Sequence, residues 1–199
     1  MLEQGLALSR EINDKLGIAQ WTYLRGLMLF AQGDLGPAVA LFEAAAPLCR
    51  ELGDRRDLGF CLLGLGAGAL AQGDLEGGLL RFKESLSLFR ELGDTMGIAG
   101  VLAWSAIASA GGSQPVRALR LGGAAQALDE ASGVVWPANM IAMIQQALEA
   151  TRASLDAEAA GAAWMEGRSM PLEQAIAEAL GEEGSSGQPD RIGGAGVAP

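Results

Sequence analysis

Histidine is entirely missing from this 199-residue chain. Histidine is the commonest general base and a frequent zinc ligand, so its absence excludes a Ser-His-Asp triad and argues against a zinc site. The only two cysteines, Cys49 and Cys61, do not form a CxxC pair. We interpret them as small buried side chains of a protein in a reducing, cytoplasmic compartment, and we expect no metal or other cofactor.

Basic side chains are also scarce. The formal net charge is -10, and only Lys15 and Lys83 are lysines. Proteins that bind nucleic acids need positive charge, because contacts with phosphates supply most of their affinity. We therefore expect no direct binding to nucleic acid. The glycine-rich G-x-x-x-x-G-K-(S/T) loop that holds nucleotide phosphates is missing from the sequence as well.

One uncharged stretch, residues 95–116, could be mistaken for a membrane span. It is strongly apolar only over residues 96–110, which is shorter than the roughly 20 residues needed to cross a bilayer. Ser105 and Ser109 interrupt that shorter run. We therefore predict a buried helix here and no association with a membrane.

An internal repeat of 40 residues is the main feature that the sequence does contain. The pattern Leu-x-Arg-Glu-(Leu/Ile)-x-Asp begins at Leu8, Leu48 and Leu88, and Ala-Gln-Gly-Asp-Leu occurs at residues 31–35 and again at 71–75. A fixed period of this size is typical of a solenoid, in which each unit buries its apolar face against its neighbours. Because alanine, leucine and glycine dominate over β-branched residues, we predict an all-α fold.

Each repeat predicts two helices joined by a short turn. In the first repeat, helices are expected at residues 16–32 and 35–52, with Gly33 ending one helix and Asp34 capping the next. Three further helices are expected towards the end of the chain, at residues 137–155, 156–168 and 169–180. The first helix, residues 2–12, matches the second helix of a repeat, so the array begins half-way through a repeat.

These patterns divide the chain into three parts. We assign residues 1–132 to the repeat array, residues 133–180 to a divergent helical cap, and residues 181–199 to a disordered tail rich in glycine, serine and proline. The incomplete first repeat leaves an apolar helix face uncovered. We therefore expect a fragment of a longer protein, or self-association through the N-terminal helix.

The repeats resemble tetratricopeptide repeats. The small residue of the first helix falls on Gly26 and Gly66. The small–aromatic–small series of the second helix falls on Ala38, Phe42 and Ala45, and again on Gly78, Phe82 and Ser85; the third unit keeps Ala118 and Ala125 but has Gly122 at the aromatic position. The resemblance implies an antiparallel helix-hairpin solenoid, and the longer period is similar to that of bacterial signalling proteins.

The C-terminal third resembles the end of a group of bacterial ATPase-type regulators. The similar segments are residues 118–128, 163–168 and 172–180, of which Ala-Trp-x-Glu-Gly-Arg at 163–168 is the most specific. Proteins of this group join an ATPase module to a helical repeat region, and often to a LuxR-type DNA-binding domain or a nucleotide-cyclase domain. The resemblance implies a signalling and transcription-regulating role for this chain as a sensor or interaction region.

The same resemblance predicts a binding groove, because one side of each first helix lines the concave surface of a tetratricopeptide array. The groove residues are Tyr23, Leu27, Phe30, Phe60, Leu63, Ala67 and Leu70. Alternatively, these side chains pack internally against the first helix or the last helices. Trp104, Trp136 and Trp164 are interpreted as core residues.

The sequence therefore predicts a non-enzymatic scaffold for protein–protein interaction, with a protein, a peptide or upstream domains of the same polypeptide as the partner. The alternative function is a sensor that binds a small-molecule effector in the groove. The pattern G-x-G-x-x-A beginning at Gly64 does not change this prediction. No strand precedes it, and Gly66 serves the packing of the repeat.

Overall fold

A computed structural model describes residues 2–133 and 136–182 of the chain. Regular secondary structure within these ranges is entirely α-helical, so the prediction of an all-α fold is confirmed. The ten helices of the described ranges are α1 (Leu2–Glu11), α2 (Lys15–Gln32), α3 (Leu35–Leu52), α4 (Arg55–Ala71), α5 (Leu75–Leu92), α6 (Thr95–Gly111), α7 (Pro115–Ser132), α8 (Ala138–Ala153), α9 (Ala157–Ser169) and α10 (Leu172–Leu180). The predicted tail lies outside the described residues from position 183 onwards.

The helices stack as successive hairpins. Helix α2 packs against α3, α4 against α5, and α6 against α7, and the hairpins join through contacts of α3 with α4 and of α5 with α6. Helix α1 packs on α2 and occupies the position of a preceding hairpin's second helix. The predicted boundaries of α2 and α3 agree with the structure to within one residue.

Glycines at the ends of the helices form the turns. Gly33, Gly53 and Gly93 have φ angles of 87°, 73° and 66°, a left-handed conformation that favours glycine. The aspartates that follow differ from one another. Asp74 Oδ1 accepts a hydrogen bond from the Gly77 backbone N–H at 2.8 Å, whereas Asp34 makes no such bond. The predicted side-chain cap at Asp34 is therefore wrong, whereas Asp74, at the equivalent turn of the next repeat, does cap its helix.

Other glycines allow aromatic rings to approach the first helices. A Cβ atom on Gly66 would lie 2.4 Å from Phe82 Cε1, and one on Gly26 would lie 2.8 Å from Phe42 Cε1. Gly64 has the same role, since its Cβ would lie 2.2 Å from Phe42 Cε2. The pattern that begins at Gly64 lies inside α4 and serves the packing of helices.

Ion pairs repeat with the period of the sequence. Lys15 Nζ lies 2.5 Å from Glu51 Oε1, and Arg55 pairs with Glu91 at the equivalent positions of the next repeat. These side chains are exposed, so each pair adds little to the free energy of unfolding. The pairs therefore repeat in register with the hairpins but contribute little to stability.

The last three helices fold back on the array. Helix α8 contacts α6, α7 and α2, while α9 packs along α7 and α10 contacts α5, α6 and α7. A Cβ atom on Gly167 would lie 2.0 Å from Arg120 O, so α9 and α7 approach through their backbones. Arg168 donates two hydrogen bonds to the Glu130 carboxylate, at 3.0 and 2.7 Å. The segment at residues 163–168 thus attaches α9 to α7.

Helix α6 is the most apolar helix of the stack. Val101 and Leu102 at its centre are fully buried between neighbouring helices. Within the described ranges, no helix combines the length and the apolar character that a membrane span requires. The prediction of a buried helix over this stretch is confirmed.

Candidate ligand-binding cavity

The first helices of the three hairpins, α2, α4 and α6, share an inner face that surrounds a cavity of about 470 Å³. This volume is in the range of sites that bind small organic molecules. The walls are almost entirely apolar. The lining residues are Tyr23, Leu24, Leu27, Met28, Phe30, Ala31, Phe42, Arg56, Phe60, Leu63, Gly64, Met96, Gly100, Ala103, Trp104, Trp136, Pro137, Met140 and Ile144.

Curvature of the array closes the cavity on one side. The ring centroids of Phe30 on α2 and Trp104 on α6 lie 5.6 Å apart, so the first and third hairpins meet directly. Tyr23 and Phe60 stack with a centroid distance of 6.3 Å and join α2 to α4. Aromatic rings therefore bridge the inner helices and hold the walls together.

The remaining wall belongs to the C-terminal part of the chain. Trp136 precedes α8, and Met140 and Ile144 lie on it; all three line the cavity. Trp136 Nε1 donates a hydrogen bond to Asp129 Oδ1 on α7 at 2.8 Å, which fixes the start of this wall. The inner surface is thus a pocket between the array and α8, not an open trough along the whole array.

Five of the seven predicted groove residues lie around this cavity: Tyr23, Leu27, Phe30, Phe60 and Leu63. Ala67 and Leu70 do not line it. Ala67 is fully buried, and Leu70 packs against α5, where a Cβ on Gly78 would lie 2.9 Å from Leu70 Cδ2. For these two residues the structure favours internal packing.

The sequence contained a signal for some lining residues that the groove prediction omitted. Adding the period of 40 residues to Phe60 and Leu63 gives Gly100 and Ala103, and both line the cavity. Trp104 follows immediately. The residues of α8 had no such signal, because the repeat has decayed there and their position depends on contacts between distant segments.

One end of the cavity carries charge. Arg56 is the only charged side chain among the described lining residues, and its guanidinium Cζ lies 5.1 Å from the centroid of the Phe60 ring. Its Nε donates a hydrogen bond to Asp94 Oδ2 at 2.7 Å. On the same helix, burial and the nearby Asp54 raise the pKa of the Asp57 carboxyl. Carboxylates therefore offset the positive charge of Arg56.

Two polar atoms of wall residues form no hydrogen bond within the described part of the chain. Tyr23 is 6% exposed and Trp104 is 4% exposed, yet neither the Tyr23 hydroxyl nor Trp104 Nε1 hydrogen-bonds to any residue in the described ranges. Burial, with the Asp57 charge in second place, raises the pKa of Tyr23 far above its ordinary value. The hydroxyl is therefore protonated, and both groups present a hydrogen-bond donor.

The cavity offers no arrangement typical of a metal site or a nucleophile. Throughout the described part of the chain, no group of three or more cysteine, aspartate or glutamate residues is placed to hold a metal ion. Cys49 and Cys61 are free thiols buried between α3 and α4, outside the cavity lining. What the cavity can do chemically is enclose an apolar molecule and donate hydrogen bonds to it.

Comparisons with protein-family models, with curated proteins and with solved structures found no match for this chain.

Proposed function

We propose that this chain is a non-enzymatic sensor module that binds a small effector molecule in the cavity between its helical array and α8. The observation that carries the proposal is the partly enclosed apolar volume of about 470 Å³, bounded by Phe30 and Trp104 on one side and by α8 on another. A drug-sized molecule fills such a space. An extended peptide would need the face that α8 covers.

The wider role follows from the resemblance to tetratricopeptide repeats and to the C-terminal region of bacterial ATPase-type regulators. In this proposal the module works in the bacterial cytoplasm. Binding of the effector changes the arrangement of the helices that other domains of a transcriptional regulator contact. An effector can do this only if it binds one arrangement of the helices more tightly than another. The cavity supports that mechanism because α8 and the array both contribute to its walls.

A pair of equivalent alanines tests the site. Ala31 lines the cavity, whereas Ala71, at the same position of the next repeat, is exposed and does not. The fluorescent apolar probe N-phenylnaphthylamine is titrated into the wild type and into Ala31→Leu and Ala71→Leu. We expect saturable binding that Ala31→Leu weakens and Ala71→Leu leaves unchanged. Equal binding by all three proteins, or none by the wild type, would contradict the proposal.

A protein or peptide partner is the second candidate function. Leu24 and Met28 line the cavity but are also exposed, Met28 by 50%, and Ile141 and Met143 are exposed on α8. Apolar side chains of this kind often anchor a partner. In this version the partner inserts one side chain into the cavity. Saturable binding of peptides combined with no binding of the apolar probe would favour it.

Self-association through the N-terminal helix stays a prediction. Leu8 and Ile12 on this end of the molecule are 58% and 65% exposed. A second copy of the chain could cover them. Sedimentation at increasing protein concentration tests this, with the double variant Leu8→Gln/Ile12→Gln as the comparison. A monomer at all concentrations would contradict the prediction.

A further inference from the structure

Two donors in the cavity wall, neither of which bonds to a described residue, indicate the chemistry of the ligand. Buried tyrosine hydroxyls and tryptophan N–H groups nearly always have a hydrogen-bond acceptor, because an unsatisfied donor carries a desolvation cost. Tyr23 and Trp104 are both more than nine-tenths buried and both line the cavity, yet their donors have no acceptor in the described ranges. The two donor atoms themselves are not fully buried, so each can bond an acceptor that a ligand brings into the cavity.

Apart from the Tyr23 hydroxyl oxygen, the side chains of the same walls offer few acceptors for a hydrogen-bond donor on a ligand. Among the described lining side chains no carboxylate, amide or thiol is present, and Trp136 Nε1 is already engaged with Asp129. An ammonium group would need several acceptors and would lie near the positive charge of Arg56. An ammonium ligand that needs hydrogen-bond acceptors therefore fits this cavity poorly.

An anionic ligand fits poorly as well. Arg56 is the one positive group in the wall, and it already pairs with Asp94 at 2.7 Å. Asp54 and Asp57 lie near it on the chain, and the whole protein carries a net charge of -10. A carboxylate would have to leave water for a region where its attraction to Arg56 is largely offset.

We propose that the cavity binds a neutral, mainly apolar molecule that carries a carbonyl oxygen, such as an ester or ketone, and that the Tyr23 hydroxyl and Trp104 Nε1 donate hydrogen bonds to it. This inference rests on the proposed sensor function and names the ligand class for the same site. The apolar body of the ligand contacts the aromatic and methionine side chains of the walls. The carbonyl oxygen supplies an acceptor for these two donors, which hydrogen-bond to no residue in the described ranges.

A set of ligands of similar size and different polar ends tests the inference. Methyl octanoate, octanoate, octylammonium and nonane are used to displace N-phenylnaphthylamine from the wild-type protein. We expect methyl octanoate to bind about five- to tenfold more tightly than nonane, which is the effect of one or two hydrogen bonds. Octanoate and octylammonium are expected to bind more weakly than the ester.

The variant Tyr23→Phe removes only the hydroxyl. It is expected to reduce the affinity for methyl octanoate about fivefold and to leave the affinity for nonane unreduced. In a proton–nitrogen correlation spectrum, the indole N–H resonance of Trp104, assigned by its loss in Trp104→Phe, should shift downfield with methyl octanoate and not with nonane. Thermal unfolding of Tyr23→Phe checks that the variant is folded.

The outcomes separate the two proposals. No displacement by any ligand, together with no binding of the probe, overturns the sensor function itself. Binding of the probe combined with equal affinities for nonane and the ester overturns the role of the donors. Preferred binding of octanoate or octylammonium overturns the neutral carbonyl class and leaves the cavity as a ligand site.

Discussion

The ring of Phe30 lies 5.6 Å from the ring of Trp104, although the two residues belong to the first and third hairpins. The hairpin between them therefore does not separate its neighbours on the inner face. This contact brings α2 and α6 together and turns an open concave surface into the wall of a cavity.

The same contact predicts a large stability effect at Trp104. The variant Trp104→Ala is expected to lower the free energy of unfolding by about 3 kcal/mol. A buried aromatic ring is lost, and neighbouring side chains only partly fill the cavity that it leaves. Met165, which is 62% exposed, supplies the control. Met165→Ala should change the value by less than about 0.5 kcal/mol in the same urea titration. Similar effects of the two variants would contradict the packing.

Two helical glycines should respond in opposite directions to alanine. At Gly66 the new methyl group would lie 2.4 Å from Phe82 Cε1, so Gly66→Ala should destabilise the protein by about 1–3 kcal/mol. Gly161 lies inside α9 with open space around it, so Gly161→Ala should stabilise by about 0.5–1 kcal/mol. Midpoints of chemical unfolding measure both effects, and the same sign for both variants would rule out this explanation.

The aspartates of the two identical turns should not be equivalent. Asp74→Ala removes a hydrogen bond to the Gly77 N–H and is expected to cost about 1 kcal/mol. Asp34→Ala removes no side-chain cap and should lose only the smaller interaction of its charge with the helix dipole. The difference between the two variants in thermal unfolding is the test, and equal losses would contradict it.

The pair formed by Glu130 and Arg168 predicts a pH dependence. Hydrogen bonds from Arg168 and Gln126 lower the pKa of Glu130 to about 2, from an ordinary value of 4.5. Because the folded-state pKa is the lower one, the stabilisation is present above pH 4.5 and is lost as the pH falls towards about 2. The difference between the unfolding midpoints of the wild type and Glu130→Gln should therefore become smaller as the pH is lowered over this range. Glu149, which is exposed and forms no ion pair within the described ranges, supplies the control variant Glu149→Gln.

The two cysteines should be protected from alkylation in the folded protein. Both are buried, and a hydrogen bond with Cys49 together with burial raises the pKa of the Cys61 thiol. Since burial keeps the reagent from both sulfur atoms, iodoacetamide should modify the thiols only after unfolding in urea. Mass spectrometry counts the added groups. Rapid modification of the folded protein would show that α3 and α4 separate readily.

The helices and turns could be predicted from the sequence because their signals are local. Gly33 and Gly53 each end a helix because of their left-handed conformation, and the period of 40 residues places each helix within a repeat. Five cavity residues followed from the resemblance to tetratricopeptide repeats. The curvature that joins Phe30 to Trp104, and the return of α8 over the inner face, depend on contacts between distant segments that no single repeat encodes.

Under the proposed function, the position of α8 also determines how readily a ligand exchanges with the cavity. Met140 and Ile144 form a wall only while α8 is docked, so an occupant of the cavity and the docked helix stabilise each other by mass action. Thermodynamic linkage then works both ways: filling the cavity makes α8 harder to detach, and loosening α8 shortens the residence time of whatever is inside.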